Sequence, residues 1–566
     1  ISTMIEFNPG LIMILGGLLV PVIKGPARRA LLLALPVAGL AYTIILDPGM
    51  SVTATFFSYK LELLRVDKLA LVWGYIFHIA AFIGVLYAIH EDDPLQATMA
   101  QIYMGAAVAA VFAGDLITLF VAWELTAISS VFLIWASRTE RAYRAGMRYL
   151  IIQIGSGVLL LAGAIIIFND TGSLAFNHIG IESLGGKLIF IAFGIKCAFP
   201  FLHNWLQDSY PQATVTGTVI LSAFTTKLAV YSLARGYAGT EILIYIGATM
   251  TIFPVFFAVI ENNLRRVLAY SLNNQLGFMV CGVGLGTELA LNGTASHAFS
   301  HILYKALLFM SMGAVLFRTG TCEASKLGGL FKSMPWTAGF CIVGAMSISA
   351  FPLFSGFVSK SMILTAAAEE HLWVIWSMLL IASAGVMEHS GIKIPYFAFF
   401  AHDGGHRVKE APKNMLWAMG IAAFLCIGVG VYPDALYAIL PYEVNYHPYT
   451  FGHVITSLQL LVFAGLAFLF LIKTGLYPAE MPSTNLDFDW VYRRFLPCCI
   501  KCGGKIVVSV DQGVRRGFLH LISEVIRVVH RYSGIEGTFA RTYPAGAMVF
   551  WAVGFLAIFL VLYLVG

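Results

Sequence analysis

The sequence predicts an all-α polytopic membrane protein, and three observations carry that expectation. Of its 566 residues 59% are hydrophobic and only 11% are charged, less than half the roughly 25% charge of ordinary soluble domains. Apolar runs of about 20 residues, the length needed to cross a bilayer's hydrocarbon, recur from end to end. The runs are continuous rather than alternating, which excludes a β-barrel. A soluble enzyme is excluded on the same grounds. A formal net charge of +5 is too small to point to nucleic acid.

Sixteen spans are expected, taken in order. The first two cover 8–24 and 29–46. The chain opens Ile1-Ser2-Thr3-Met4 with no basic stretch, so the first run reads as a retained span rather than a cleaved signal. Residues 51–64, rich in Thr, Phe, Ser and Tyr, suggest a short hairpin outside the bilayer. Spans then follow at 67–89, 96–113, 115–136, 146–168, 186–206, 213–235, 239–260 and 265–285. The remainder lie at 296–316, 334–360, 370–400, 412–432, 452–474 and 543–565.

Loop charge sets the expected orientation. Basic residues gather between odd and even spans: Lys24, Arg28 and Arg29; Arg138 to Arg148; Arg265 and Arg266; Arg318, Lys326 and Lys332; Arg407, Lys409 and Lys413. The positive-inside rule makes that face cytoplasmic and sends both termini outside. The acidic Glu91-Asp92-Asp93 is the one exception.

Residues 475–542 form an insert on the same basic face. Within it Lys505–Tyr532 reads as an amphipathic helix, with Val507, Val510, Val514, Phe518, Leu521, Val525 and Val528 at three- and four-residue steps. At 1.5 Å per residue it would run roughly 40 Å. Two readings stand: an interfacial helix on lipid, or a strut docked on other spans or a neighbouring subunit. Eight cysteines are scattered. Only Cys498, Cys499 and Cys502 cluster, short of a four-ligand zinc site. The run Gly282-Val283-Gly284-Leu285-Gly286 lies in a span and is no dinucleotide fingerprint. Neither a cofactor nor a metal is expected.

The chemistry-bearing residues are charges inside spans. A charge at the bilayer centre costs roughly 2.5–3.5 kcal/mol on insertion scales, so such residues are functional hypotheses by default. Glu124 lies deep in span 5, after Trp123. It is either a titrating group or a neutral, hydrogen-bonded structural one. Lys196 and His203 flank Pro200 in span 7, and a proline-broken helix at membrane depth is tolerated where it lines a polar cavity. Span 12 repeats the pattern with Pro352, Gly356 and Lys360. Two proline-interrupted spans five apart suggest inverted repeats of helices 4–8 and 9–13.

Span 11 places His297, His301 and Lys305 four residues apart on one helical face. Proton relay is the favoured reading over a metal site or satisfied buried histidines, because imidazole titrates near neutral pH. Lys227 in span 8 is a relay member or a snorkelling residue. Glu388, His389 and Lys393 in span 13 lie close to a basic loop, and their role stays open.

These stretches resemble the antiporter-like subunits shared by respiratory complex I and the Mrp cation/proton antiporters. The carriers are Trp123-Glu124-Leu125; Lys196 with His203 and Trp205; Ala269-Tyr270-Ser271; His301 to Phe309; and Pro352 to Lys360. The resemblance covers roughly 65–430. Gly391 to Phe397 and Asp487-Phe488-Asp489-Trp490 look most like the D-type chains of Mrp Na⁺/H⁺ antiporters.

The resemblance implies about 14 core helices with two inverted five-helix repeats, here followed by two C-terminal spans and a surface helix. It implies N-terminal spans over 1–95, half-channels over 96–235 and 236–400, and C-terminal spans over 401–474. The cytoplasmic insert at 475–542 and a last span at 543–566 complete the chain. It further implies an ion pair of Glu124 with Lys196, Lys227 as a bridge, His301 and Lys305 as the centre, and Lys360 as the terminal site. The chain would be an ion-transporter subunit rather than an enzyme. Its setting would be a multi-subunit complex of a bacterial or archaeal inner membrane, in which this chain moves protons and any Na⁺ path lies in another subunit. Redox-driven and inorganic-carbon-uptake complexes are the rival settings. Two departures from the family pattern stand out. Pro200 follows Lys196 by four residues rather than five, with Cys197 between, and Gln207 replaces the usual proline after Trp205-Leu206.

Overall fold

The computed structural model describes residues 6–57, 59–483 and 485–565. Ile1 to Met4, on which the signal-peptide reading rests, lie outside the described residues. The chain divides into a unit over Ile1–Asn485 and a second over Leu486–Gly566.

The first unit is a helical membrane protein with one hairpin. Its elements begin with α1 (Gly10–Leu19), α2 (Gly25–Ile44), β1 (Ser51–Phe56), β2 (Tyr59–Arg65), α3 (Lys68–Ala88) and α4 (Pro94–Val111). There follow α5 (Leu116–Trp135), α6 (Glu140–Thr171), α7 (Leu184–Lys196), α8 (Asn204–Ser209), α9 (Val215–Ala223) and α10 (Thr225–Gly236). The second half holds α11 (Ile242–Ile260), α12 (Leu264–Leu285), α13 (Glu288–Thr319), α14 (Pro335–Ile348), α15 (Ser355–Glu369) and α16 (Trp373–Val386). Helix α16 continues through wide π turns and the short α17 (Lys393–Pro395) to Phe400. Then come α18 (Lys413–Val431), the short α19 (Asp434–Tyr437) and α20 (Phe451–Thr474). The second unit contains α21 (Leu496–Ser533) and α22 (Ala545–Val565). Every one of the sixteen expected spans contains a helix.

Helix starts follow the capping residues. Asp67, Asp115, Thr139, Ser183, Asn263, Thr287 and Thr450 each accept a hydrogen bond from a backbone amide in the first turn of the helix they precede. That satisfies donors the helix cannot reach itself. The hairpin of residues 51–64 is present: β1 and β2 pair antiparallel, with Val52 opposite Leu64 and Phe56 opposite Tyr59.

The middle of the unit is α13, where every residue from Ala290 to Val315 is buried. Helices α9 and α10 are buried at every residue except Val215 and Arg235. Two-sided burial explains why these helices tolerate polar residues, since neighbouring helices rather than lipid surround them. Helices α11 and α12 pack backbone to backbone through Gly247 and Gly277. A Cβ on Gly277 would come 2.6 Å from the Gly247 carbonyl oxygen.

Several boundaries differ from expectation. Span 12 does not end at Lys360: α15 continues to Glu369, so the lysine lies within a helix. Span 8 is not one helix but two, interrupted at Phe224. The amphipathic helix expected over 505–532 runs 38 residues, about 57 Å at 1.5 Å per residue, and takes in all three clustered cysteines.

Candidate functional site

The breaks in spans 7 and 12 have one local design. Span 7 reads Ala198-Phe199-Pro200-Phe201 and span 12 reads Ala350-Phe351-Pro352-Leu353. Both alanines lie in the left-handed region, at φ 60° and 59°, and so do the residues after proline, at 70° and 75°. Each phenylalanine amide reaches back five residues, Phe199 to Gly194 and Phe351 to Met346, both at 3.0 Å. Proline supplies no donor, and the positive-φ residues turn the chain out of the helix. Sequence shows the shared Ala-Phe-Pro; the two left-handed residues of each break are visible only in the backbone.

Lys196 ends α7 at the first break and is fully buried. Its ammonium donates to the Trp123 carbonyl and the Thr126 hydroxyl, each at 2.7 Å, and sits 4.3 Å from the Trp123 ring centroid. The resemblance implies an ion pair with Glu124. Here the lysine is instead held by the groups on either side of that glutamate, although the two charges lie close enough to interact. Glu124 Oε1 is buried without a hydrogen-bond partner. Its carboxylate lies against Gly157 of α6, and a Cβ on that glycine would overlap it.

Lys227 sits just past the interruption at Phe224 and donates to the Ser222 carbonyl at 2.5 Å. Other side chains take up the backbone groups the interruption exposes. The Thr225 amide donates to the Tyr103 hydroxyl at 3.0 Å, and Tyr210 donates to the Leu221 carbonyl at 2.9 Å. The Trp73 indole donates to the Lys227 carbonyl at 3.0 Å. The lysine therefore does not snorkel; it is fully buried inside a broken helix.

On α13 the three expected residues share a face. The His297 and His301 ring centroids are 6.2 Å apart. His297 is held at both nitrogens, Nδ1 by the Ser359 hydroxyl at 3.1 Å and Nε2 by the Gln275 side-chain oxygen at 3.2 Å. Tyr304 also donates to Gln275, at 3.0 Å. Both ring nitrogens of His301 and the ammonium of Lys305 are fully buried with no protein partner. The side-chain amides of Asn273 and Gln207 are in the same condition. An unpartnered buried polar atom costs roughly 1–3 kcal/mol, and such atoms ordinarily pair with protein or with water.

Lys360 donates to the Ile348 carbonyl at 3.1 Å, closing the second break, and lies 5.1 Å from the Phe278 ring centroid. Successive sites are linked by electrostatic reach rather than by direct hydrogen bonds. Lys227 lies within electrostatic reach of Cys197, the residue after Lys196. Lys305 feels the charges of both Lys227 and Lys360, and His297 that of Lys360.

His203 immediately precedes α8, its ring 4.7 Å from that of Phe253, beside the first break rather than in the row. Lys393 is placed differently again. Its ammonium takes the Val259 and Glu261 carbonyls at the end of α11, at 2.6 and 2.8 Å, and pairs with Glu480 at 2.8 Å. That geometry closes a helix end. His389 joins Ser390 at 2.8 Å, and Ser390 joins Ser271 at 2.7 Å. Among the described residues no group of three or more His, Cys, Asp or Glu could hold a metal. Sequence reasoning passed over Asn273 and Gln275, whose signal was a run of amides, Asn273-Asn274-Gln275, inside an apolar span.

Comparison with known proteins decides the family. Residues 113–385, from just before α5 almost to the end of α16, match the transmembrane family described as NADH:quinone oxidoreductase/Mrp antiporter. This part of the chain belongs to the antiporter-like family. The chain is 31% identical over 308 residues to the D-type subunit of the Na⁺/H⁺ antiporter of Alkalihalophilus pseudofirmus, covering 51% of this chain and 62% of that protein. It is 26% identical over 433 residues to hydrogenase-4 component B of Escherichia coli, covering 68% and 64%. The matches thus span less than two thirds of either relative's length. In fold, the antiporter-like core is similar to a chain of the Mrp complex from Dietzia sp., with a TM-score of 0.69 at 21% identity over 76% of this chain and 95% of that one.

Proposed function

We propose that the chain is the proton-translocating membrane subunit of a multi-subunit Mrp-type monovalent cation (Na⁺)/proton antiporter. The succession of buried titratable groups within electrostatic reach of one another carries this reading. Glu124 and Lys196 form the first half-channel. Lys227 bridges to His301 and Lys305, and Lys360 ends the second half-channel. His297 stands beside that row. His203 and Lys393 border the path at the first break and at the end of α11.

The switch is electrostatic. An ionised Glu124 within reach favours the charged Lys196, and moving the carboxylate away releases the proton toward Lys227. The unpartnered His301 and Lys305 have no competing protein hydrogen bond to break before they accept it. The matching Ala-Phe-Pro breaks support two inverted half-channels over 96–235 and 236–400. The basic loops support a cytoplasmic placement of that face.

A second reading has its own observation. The likeness to a hydrogenase component extends over more of the chain than the likeness to the D-type antiporter protein. In that reading the same relay works inside a redox-driven complex, with electron transfer in other subunits. The test is proton flux in vesicles carrying the whole complex. Lys196→Ala and Glu124→Ala are each expected to reduce it at least tenfold, and undiminished flux in both overturns the relay. Dependence of wild-type flux on Na⁺ supports the antiporter; dependence on an electron donor supports the redox complex.

A further inference from the structure

The segment that leaves α20 turns back on the helices. Gly475, at φ 72°, ends α20, and the amides of Leu476 and Tyr477 both donate to the Leu471 carbonyl at 3.0 Å. From Gly475 to Ser483 the segment is exposed at most positions, and it turns two side chains inward, those of Tyr477 and Glu480. The Tyr477 ring packs on Phe468 of α20, with centroids 5.1 Å apart, and on Phe397, with centroids 6.1 Å apart. The Glu480 side chain is only 7% exposed, and its carboxylate meets the fully buried Lys393 ammonium at 2.8 Å. Asn485 adds a hydrogen bond to Glu261 Oε2 at 3.1 Å. Burying a carboxylate costs several kcal/mol in lost hydration, so an exposed segment that turns one inward is placing a charge.

We propose that Glu480 is a positioning residue for proton transfer: its carboxylate holds Lys393 charged, and that charge keeps His389 from trapping protons meant for Lys360. The inference rests on the relay reading and adds to it a group outside the stretch 113–385 that matches the family. His389 stands one turn before Lys393 and lies within electrostatic reach of Lys305, Lys360 and Lys393. Its Nε2 is buried without a protein partner. An imidazole so placed is a dead end beside the relay, because it can take a proton from Lys305 and hold it. A positive charge on Lys393 opposes that protonation, and a neutral Lys393 permits it. The other charged groups at Lys393 are Glu261, paired with Arg266 of α12 at 3.6 Å, and Glu388 of its own helix. Tyr477 faces Glu480 from the same segment. Helix α14 carries no charged residue, and α20 brings only His453 and Lys473, in its first and last turns. Glu480 is thus the carboxylate in direct contact with the Lys393 ammonium.

The experiment measures proton flux across pH in vesicles carrying the whole complex. Glu480→Gln keeps the side chain's size and an acceptor oxygen for Lys393 but removes the charge. Lys393 then gives up its proton at lower pH, so the alkaline limb of the flux profile should move down by about one pH unit. Glu480→Asp keeps the charge and should restore the parent profile. A parent profile in Glu480→Gln overturns the assignment, since a merely structural contact survives in glutamine. A Glu480→Asp profile that matches Glu480→Gln overturns it too. Lys393→Met removes the group through which Glu480 acts. Adding Glu480→Gln to it should change the profile no further, and a further shift overturns the assignment. That doubly neutral pair leaves no lone buried charge, so it decides the matter where Glu480→Gln alone fails to assemble. Lys196→Ala in the same vesicles separates the two ideas. Loss of flux there, with a parent profile in Glu480→Gln, removes the role of Glu480 and leaves the relay.

Discussion

Two residues show how much of the site depends on what surrounds a charge. Gly157 carries no chemistry, yet the Glu124 carboxylate occupies the space its Cβ would take. Gly157→Ala should therefore push the carboxylate away from Lys196 without breaking the helix. Proton flux in vesicles is expected to fall about as far as in Glu124→Ala, with assembly unchanged; wild-type flux would show that the carboxylate's position is irrelevant. Arg265 is the reverse case. By sequence it is one of the loop charges that set orientation. In the structure it is buried, and donates to the carbonyls of Pro211 and Ala213 at 3.0 Å and to that of Thr214 at 3.2 Å. It closes the chain where α8 runs out. Arg265→Met leaves those carbonyls unpaired, at roughly 1–3 kcal/mol for each one left unsatisfied, read as a lower thermal midpoint in detergent. Charge type was legible here; burial was not, because a residue at a span boundary can snorkel or turn inward with the same sequence.

At the scale of the element, the broken helices carry the design. The prolines announce the breaks, but the left-handed alanines decide their shape. A left-handed L-residue costs roughly 1–2 kcal/mol, so the breaks store strain that glycine would relieve. Ala198→Gly and Ala350→Gly should each raise stability by about 1 kcal/mol, and valine at either position should lower it. Thermal midpoints in the order Gly, Ala, Val check this, and the reverse order would show the turn is held by other contacts. The interruption at Phe224 shows why part of the site escaped the sequence. No proline or glycine marks it; Tyr103, Tyr210 and Trp73, from elsewhere in the chain, supply the hydrogen bonds that make it tolerable. A break stabilised by distant side chains leaves no local trace. The face of α13, by contrast, was legible in full, because four-residue spacing is a property of the helix alone.

For the whole molecule, the contrast is between a filled core and a bare tail. Helix α13 buries nearly everything it has, while α21 buries none of its residues and keeps an apolar stripe from Val507 to Val528. Exposed apolar stripes of this size mark a lipid or protein contact. Its polar side is laced with intrahelical pairs, Asp511 with Arg515 at 3.0 Å and Glu524 with Arg527 at 2.6 Å. Those pairs satisfy its charges locally and leave the stripe as the surface that needs a cover. If the chain works inside a complex, the stripe is the natural place for a neighbouring subunit to hold it. A chain ending after Asn485 keeps the whole of the first unit, so it should insert and retain that unit's helix content and thermal midpoint. It should no longer co-purify with partner subunits. Replacing Val514, Phe518 and Leu521 with serine in the full chain should reproduce that loss without removing α22. Undiminished co-purification of both forms would instead place the stripe against lipid, because a lipid-facing helix contributes nothing to subunit recognition.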